Sequence, residues 1–270
     1  MANGGPGYFG GVNAPGQDLG WGSMGGLGHS FFPGFYEAHT STASYVLGGS
    51  FTPNNVQSAT LQLWLDARVG ITIATGVSSW ADQSGNGNTF TQGTGANQPA
   101  FNASAINGFP GVVGAVGKSL AMAGNTIAQN AARTAYALLR IGTSSTPIWA
   151  PRALGYQLQI YPGAPPSFIE TNGTTTNTSI GDTIVTATNH YLRWSFDGVQ
   201  TNLLKFNMDG IEKTVANGVG TGVGAEPATT GEVLFSQDNG TIGVFLVYSG
   251  VVSAAEDAQV LAYLKGLGQL

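Results

Sequence analysis

The 270-residue sequence has no cysteine, which excludes a disulfide framework and a thiolate site. Charge is almost as scarce, with nine Lys and Arg against 14 Asp and Glu and a net charge of −5. Nucleic-acid binding loses its footing on that count, because displacing counterions from phosphates requires clustered cations. No window approaches about eighteen uninterrupted apolar residues, and the N-terminus has neither the basic start nor the apolar run of a signal peptide. Membrane insertion and conventional export are therefore not expected. The missing cysteines assign no compartment, since a protein exposed outside cells can also do without disulfides.

What the chain has in quantity is glycine, 42 residues of it, together with many Thr, Asn, Ser and Val. This is the profile of a turn-rich β protein with a polar, weakly charged surface. A domain of about 200 residues buries roughly 70% of its unfolded surface, so a substantial core is available. The expected organisation is an N-terminal arm over residues 1–55 and a β domain over residues 56–270. Internal repeats are not apparent.

The arm differs from the rest in kind. Its first 36 residues hold 12 Gly interleaved with Tyr8, Phe9, Trp21, Phe31, Phe32, Phe35 and Tyr36, and the first Lys or Arg of the chain is Arg68. Such a segment has no helical or alternating pattern with which to build a core of its own. Its aromatics are best buried against other subunits, which makes those seven residues candidates for an assembly interface. An arm wrapped around its own β domain is the alternative, and a disordered linker the third reading.

Period-two patterns begin near Thr60. In LQLWLDA, Leu61, Leu63 and Leu65 are expected on one face with Trp64 and Asp66 on the other. In YLRWSFDG, Leu192, Trp194 and Phe196 share a face, as do Leu204, Phe206 and Met208 in LLKFNMDG. Asp209-Gly210 predicts a tight hairpin turn, because both central positions favour positive φ. GVFLVYSG, Gly243 to Gly250, reads as a central strand covered on both sides. Ser253 and Glu256 form a capping-box pattern ahead of a helix expected over Ala254 to Lys265. Its apolar face would use Ala258, Val260, Leu261, Tyr263, Leu264 and Leu267, and it would cover the end of a sandwich.

Three segments carry a family resemblance: LQLWLDARVGITIATGVSSWADQSGNGNTFTQ with QPAF and INGFPGV, then HYLRWSFDG with FNMDGIEKTV, and last VFLVYSGVVSAAEDAQVLAYL. In that order they resemble the laminin-G-like domains of the concanavalin A-like lectin and glucanase superfamily, which occur in bacterial surface proteins and in bacteriophage virion and tail proteins. The resemblance spans about residues 58–270. It implies an all-β fold, an antiparallel jelly-roll β-sandwich with a short C-terminal helix, whose last strand returns beside the first. Asp197-Gly198 and Asp209-Gly210 would be hairpin corners.

Candidate chemistry is sparse. Hydrolases of that superfamily carry Glu and Asp alternating along one strand, and this sequence has no such run. The nearest acid pairs, Asp209 with Glu212 and Glu256 with Asp257, fall at the predicted turn and helix start. His29, His39 and His190 lack the spacing of a helical zinc pair, and no Gly-x-Ser-x-Gly elbow accompanies them. Gly220 to Glu226 imitates a phosphate loop without its Lys or helix. In SSWADQSGNGNTFTQ, Asp82, Ser84, Asn86 and Asn88 alternate as calcium ligands do, yet no acid follows Asp82 until Glu170. An Asx-type turn with Gly85 and Gly87 at positive φ is the preferred reading; a Ca2+ site completed by distant loops is the alternative. Trp80, Trp149 and Tyr161 are candidate sugar platforms, although Trp80 is expected to pack inward. The Asn-x-Ser/Thr sequences at Asn102, Asn172, Asn177 and Asn239 are what an Asn- and Thr-rich chain produces by chance.

The resulting expectation is a non-enzymatic bacteriophage virion protein, localised to the virion, with no cofactor and no metal site. It would be held by its arm to other virion subunits, be homo-oligomeric, and present a lectin-like jelly roll in reach of host surface glycans. A carbohydrate-binding module of a bacterial surface protein is the alternative, and a glycoside hydrolase the third.

Overall fold

Alternating apolar side chains can be buried only where a second layer covers them, and this chain supplies that layer as another sheet. The computed structural model describes residues 50–128, 131–143, 147–151, 158–159, 167–171, 175–180, 185–198, 205–213, 215–216, 231–235 and 239–270. The chain divides into two units, Met1–Ser50 and Phe51–Leu270. The arm residues Tyr8, Phe9, Trp21, Phe31, Phe32, Phe35 and Tyr36 lie outside the described residues, as do His29, His39, Tyr161, Asn172 and Gly220 to Glu226.

In chain order the strands are β1 (Thr60–Asp66), β2 (Ile71–Ile73), β3 (Val77–Trp80), β4 (Phe90–Thr91), β5 (Ala100–Ile106), β6 (Phe109–Val113), β7 (Leu120–Met122), β8 (Arg133–Arg140) and β9 (Pro147–Pro151). They continue as β10 (Leu158–Gln159), β11 (Ser167–Thr171), β12 (Thr175–Ile180), β13 (Asn189–Phe196), β14 (Lys205–Met208), β15 (Ile211–Lys213), β16 (Val215–Ala216), β17 (Glu232–Leu234) and β18 (Thr241–Ser249). One helix, α1 (Ala254–Gly268), closes the series. An eight-stranded sheet runs β15-β14-β13-β8-β18-β6-β5, with β1 also pairing β18; a seven-stranded sheet runs β10-β9-β17-β7-β4-β3-β2. A small sheet, β11-β12-β16, is separate. Every pairing is antiparallel. The architecture is an antiparallel β-sandwich with one C-terminal helix, as the alternating patterns predict.

The two large sheets meet over one core. Leu63, Leu65, Trp80, Phe90, Trp149, Leu192, Trp194, Phe196, Phe206, Met208, Phe245 and Val247 are all buried in it. The faces expected for Leu192, Trp194 and Phe196, and for Phe206 and Met208, are the observed ones; Leu204 lies outside the described residues. Asp209 and Gly210 both have positive φ, 55° and 83°, and form the two-residue turn between β14 and β15. β18 is buried from Thr241 to Tyr248, so the strand predicted to be covered on both sides is covered on both sides.

Two details depart from the periodic reading. The register of β1 on β18 slips at Gln62: Leu63 faces Val247, whereas Leu61 faces Tyr248. This bulge turns Leu61 away from Leu63 and Leu65 and places it with Trp64 against the outer cluster. The helix also does not sit on the end of the sandwich. It packs along β8 and β13 on the outer face of the eight-stranded sheet, burying Val260, Leu261 and Leu264 against Tyr136, Leu138, Val244, Leu246 and Tyr248. That face is apolar because β18 and β8 have no polar side to offer, and it needs a cover. Ala258, expected on the apolar stripe, is exposed. The helix runs to Gly268, beyond the expected Lys265, and its last residue is a glycine where a Cβ would stand 2.6 Å from Leu138. Among the described residues no helix is long and apolar enough to cross a membrane.

The capping-box acid is used in a different way from the one its spacing suggests. Glu256 takes the hydroxyl of Ser253 at 2.6 Å, but it does not return to the Ser253 N–H, which donates instead to Ser58 Oγ. Its carboxylate accepts the Gln57 N–H at 2.6 Å, the Ser58 N–H and the Ser58 hydroxyl. The hydroxyls of Ser253 and Ser58, then the Gln57 N–H, hold this carboxyl at about 2, below the ordinary 4.5.

The loop after β3 closes the free edge of β1. Asp82 Oδ1 accepts the Trp64 and Ser84 N–H groups, both at 2.9 Å. Its Oδ2 accepts the Ser84 hydroxyl at 2.7 Å and the Asn88 N–H at 3.0 Å. Gln83 N–H donates to Trp64 O at 2.7 Å, Asn86 Nδ2 to Leu61 O at 2.9 Å and Asn88 Nδ2 to Gln62 O at 2.8 Å. The edge groups of β1 at Leu61, Gln62 and Trp64 are thus met by side chains and by one backbone N–H of the loop.

Two predictions follow from these bonds. Asp82→Ala strands the Trp64 and Asn88 N–H groups and should cost roughly 2–4 kcal/mol, a Tm drop on the order of 5–12 °C for a domain of this size. Asp82→Asn should cost nearly as much, because it points an amide at N–H donors, and added calcium or EDTA should leave the wild-type Tm where it is. Calorimetry of the three proteins decides; a calcium-dependent Tm lost in Asp82→Ala would contradict the turn. The second prediction concerns acid. A carboxyl held below its unfolded value stabilises fully above that value, so the Glu256 contribution is complete above about pH 4.5 and is lost as pH falls toward about 2. Burial raises the neighbouring Asp257 carboxyl, which acts in the opposite sense. In urea titrations across that window, Glu256→Gln should flatten the acid decline; an unchanged slope would refute the assignment.

Candidate functional site

The tryptophans named as sugar platforms are core residues. Trp80 and Trp149 are both 0% exposed. Trp80 donates Nε1–H to Asp66 O at 3.2 Å. Trp149 packs against Trp194 and Phe245, with ring centroids 5.6 and 5.2 Å apart, and donates Nε1–H to Glu232 Oε2 at 2.9 Å. Glu232, also 0% exposed, takes the Thr126 N–H and hydroxyl at 2.6 and 2.7 Å. A buried indole satisfied in this way has no face left for a ligand.

The predicted acid pairs do not stand as pairs. Asp209 Oδ1 accepts the Tyr191 N–H at 3.1 Å, and its Oδ2 lies 2.6 Å from His190 Nδ1. Glu212 takes Arg193 Nη2 at 2.5 and 2.6 Å. The same guanidinium has Asp257 at 3.6 Å on its other side, and Asp257 accepts the Tyr136 hydroxyl at 2.7 Å. Arg193 is only 8% exposed, so Glu212 and Asp257 serve to neutralise a buried cation beside the helix. Burial, then Asp257, pushes the Tyr136 phenol far above its ordinary range.

His190 is 9% exposed and bridges Asp209 to Thr188, whose Oγ1 is 2.6 Å from Nε2. The chain Thr188-His190-Asp209 has the bond order of a nucleophilic triad, assembled where sequence spacing gave no sign of one. The Thr188 hydroxyl, however, donates to Val185 O. A hydroxyl whose proton goes to a carbonyl is not being deprotonated by the imidazole. The arrangement ties the 185–190 turn to the β14–β15 turn. Among the described residues no group of three or more His, Asp or Glu could hold a metal ion.

Among the described residues a groove of about 310 Å3 is lined by Asn102, Ala105, Val113, Arg140, Ile141, Gly142, Thr143, Ala187, Asn239 and Thr241. It lies at the end of the eight-stranded sheet where β8 finishes and β18 begins, and Arg140 stands opposite both Thr241 and Asn189. The floor is close-packed: a Cβ on Gly111 would stand 2.5 Å from Thr241 Cγ2, so only glycine lets β6 approach β18 here. One wall is clasped by reciprocal bonds, Asn239 Oδ1 accepting the Thr143 N–H and Asn239 Nδ2 donating to Thr143 Oγ1, both at 2.7 Å. On the other wall Asn102 Oδ1 accepts the Ser104 N–H at 2.9 Å. The Arg140 side chain is exposed. Asn102 and Asn239, noticed in the sequence only as Asn-x-Ser/Thr, are brought to one groove, whereas Asn177 lies on β12. Arg140 was not singled out; the available signal is a lone cation ending the apolar run TAYALL.

No protein-family model matches the chain, and no curated protein matches it. Solved structures do. The binding domain of Paraclostridial Mosquitocidal Protein 1 is 10% identical with a TM-score of 0.57, over 76% of this chain and 52% of that one. The ligand-binding domain of botulinum neurotoxin serotype D, in complex with N-acetylneuraminic acid, is 13% identical with a TM-score of 0.56, over 78% and 52%. A GH54 α-L-arabinofuranosidase soaked with 4-nitrophenyl α-L-arabinofuranoside is 15% identical with a TM-score of 0.51, over 71% and 51%. This chain spans about half the length of each of these three. At such identities the likeness is one of fold: the chain shares a β-sandwich with these toxin binding domains and with a glycosidase.

Proposed function

We propose that residues 51–270 form a non-catalytic glycan-recognition domain whose site is the groove around Arg140. The observation that carries this reading is the contrast between the groove and six acids elsewhere in the domain. Asp82, Asp209, Glu212, Glu232, Glu256 and Asp257 all hold backbone, hydroxyl, indole or cationic partners, while the groove keeps an exposed cation and an amide at a concave, close-packed surface. Sugar sites need such fixed polar groups in a small depression, and about 300 Å3 is the lower end of the range for ligand sites. Support from outside the chain comes from the shared fold of a domain solved with N-acetylneuraminic acid and an enzyme solved with an arabinofuranoside.

The glycine- and aromatic-rich arm supports a second component of the proposal, attachment to neighbouring subunits, with a bacteriophage virion as the setting that the sequence resemblance implies. The domain has a fixed point of entry for such an arm: Phe51 packs on Tyr263 with ring centroids 5.6 Å apart, and Pro53 O accepts the Tyr248 hydroxyl at 2.9 Å.

Two experiments test these components. On a glycan array the full-length protein should retain a defined set of sugars, and Asn102→Ala with Arg140→Ala should lose them at unchanged Tm; an array with no retained glycan would sink the recognition reading. Deleting residues 1–50 should leave a cooperatively folding domain that no longer enters particles or oligomers in sedimentation, and a truncated protein that assembles like the parent would refute the arm's role.

A further inference from the structure

Resting on the glycan reading, the groove's chemistry specifies what kind of glycan. The sequence carries 14 acids against nine Lys and Arg, yet among the described residues that line the groove none is an acid and one is Arg140. An exposed arginine on a protein of net negative charge ordinarily finds a carboxylate. Arg140 has no hydrogen-bond or ion-pair partner among the described residues, whereas Arg68 is paired with Asp66 and Arg193 with Glu212.

The remaining polar groups sort in the same direction. Thr143 and Asn239 bond each other twice, which fixes the wall. Asn102 has one lone pair of its carbonyl oxygen engaged by Ser104, so its NH2 carries most of what it has left to offer. What the groove presents from Arg140 and Asn102 is therefore chiefly donors, a guanidinium fork and an amide NH2, and among the described residues that line it there is no carboxylate to accept from a neutral sugar's hydroxyls. Neutral sugars are recognised by groups that both donate and accept, because each hydroxyl does both. Two side chains dominated by donors, one of them a cation, are matched by a ligand group that only accepts.

We propose that the groove selects an anionic saccharide, with Arg140 taking the ligand's carboxylate or sulfate oxygens in a two-point contact and Asn102 donating to the same group or to the adjacent ring oxygen. Fork geometry supplies orientation as well as charge. Lysine at this position would keep the charge and lose the fork. Electrostatic attraction at so exposed a site is screened by salt, so the preference for the anion weakens as ionic strength rises, while contacts to the sugar ring do not.

Calorimetric titration of the full-length protein with three ligands on one backbone tests this: trigalacturonate, neutral galactotriose and a 6-O-sulfated galactotriose. An anionic ligand should bind at least about tenfold more tightly than the neutral one, the scale of a single charge-assisted two-point contact. Whichever of the carboxylated and sulfated forms shows the gain identifies the group. Arg140→Gln should erase the preference at unchanged Tm, Arg140→Lys should keep part of it, and about 0.5 M salt, where screening acts over roughly 4 Å, should reduce it. Equal binding of neutral and anionic ligands, a preference that survives Arg140→Gln, or array glycans that are all neutral would overturn the anion assignment and leave glycan recognition standing. No binding by any ligand here or on the array would overturn both.

Discussion

The fold depends on a strand that has no wet side. From Thr241 to Tyr248 every residue of β18 is buried, so both faces of the sheet it centres must be covered. The seven-stranded sheet covers one face, and a single helix covers the other. A strand of this kind contributes more burial than any amphipathic neighbour, but it commits the rest of the chain to supplying two layers. The helix is thus a structural requirement of β18 rather than an appendage. Its side chains on that face, Val260, Leu261 and Leu264, meet Tyr136, Leu138 and Tyr248.

Covering an apolar face with a charged helix creates a problem at its margin, where Arg193 and Asp257 are drawn below the surface. The solution is mutual: Glu212 and Asp257 flank the guanidinium, and Tyr136, whose ring belongs to the apolar cluster, turns its hydroxyl to Asp257. Glu256 does the equivalent work at the helix start for the backbone of Gln57 and Ser58. Most acids that a sequence search would consider for catalysis are consumed in this way. The groove at Arg140 lies at the end of the eight-stranded sheet, and there the guanidinium stands exposed.

Period-two alternation in YLRWSF, KFNM and GVFLVY made the strands and the covered faces legible, because burial on one or both faces is written directly into residue order. The turn at Asp209-Gly210 was legible for the same reason: few residue pairs tolerate two positive φ angles. The bulge at Gln62 was not, since nothing in LQLWLDA marks which residue is extra; the slip is set by the partner strand and by the loop that receives it. Helix placement escaped as well, because an amphipathic stripe says that a helix is covered and not which surface covers it. The groove was the least legible feature. Its walls come from Asn102, Arg140 and Asn239, widely separated residues with no shared motif, and only the register of β5, β6, β8 and β18 brings them together.

The union of β1 with β18, and of Gln57 with Glu256 across 199 positions, has a consequence for how the domain comes into being. Its first strand can find no permanent partner until nearly all of the domain has been synthesised, which gives the topology a high contact order and a slow, late closure. Until then the edge of β1 is exposed to any passing strand. The Asp82 loop, whose bonds to Leu61, Gln62 and Trp64 span 26 positions at most, can form early and occupy one side of that edge while the other waits. In kinetic terms the loop is a local chaperone carried within the chain, guarding the strand that must wait longest.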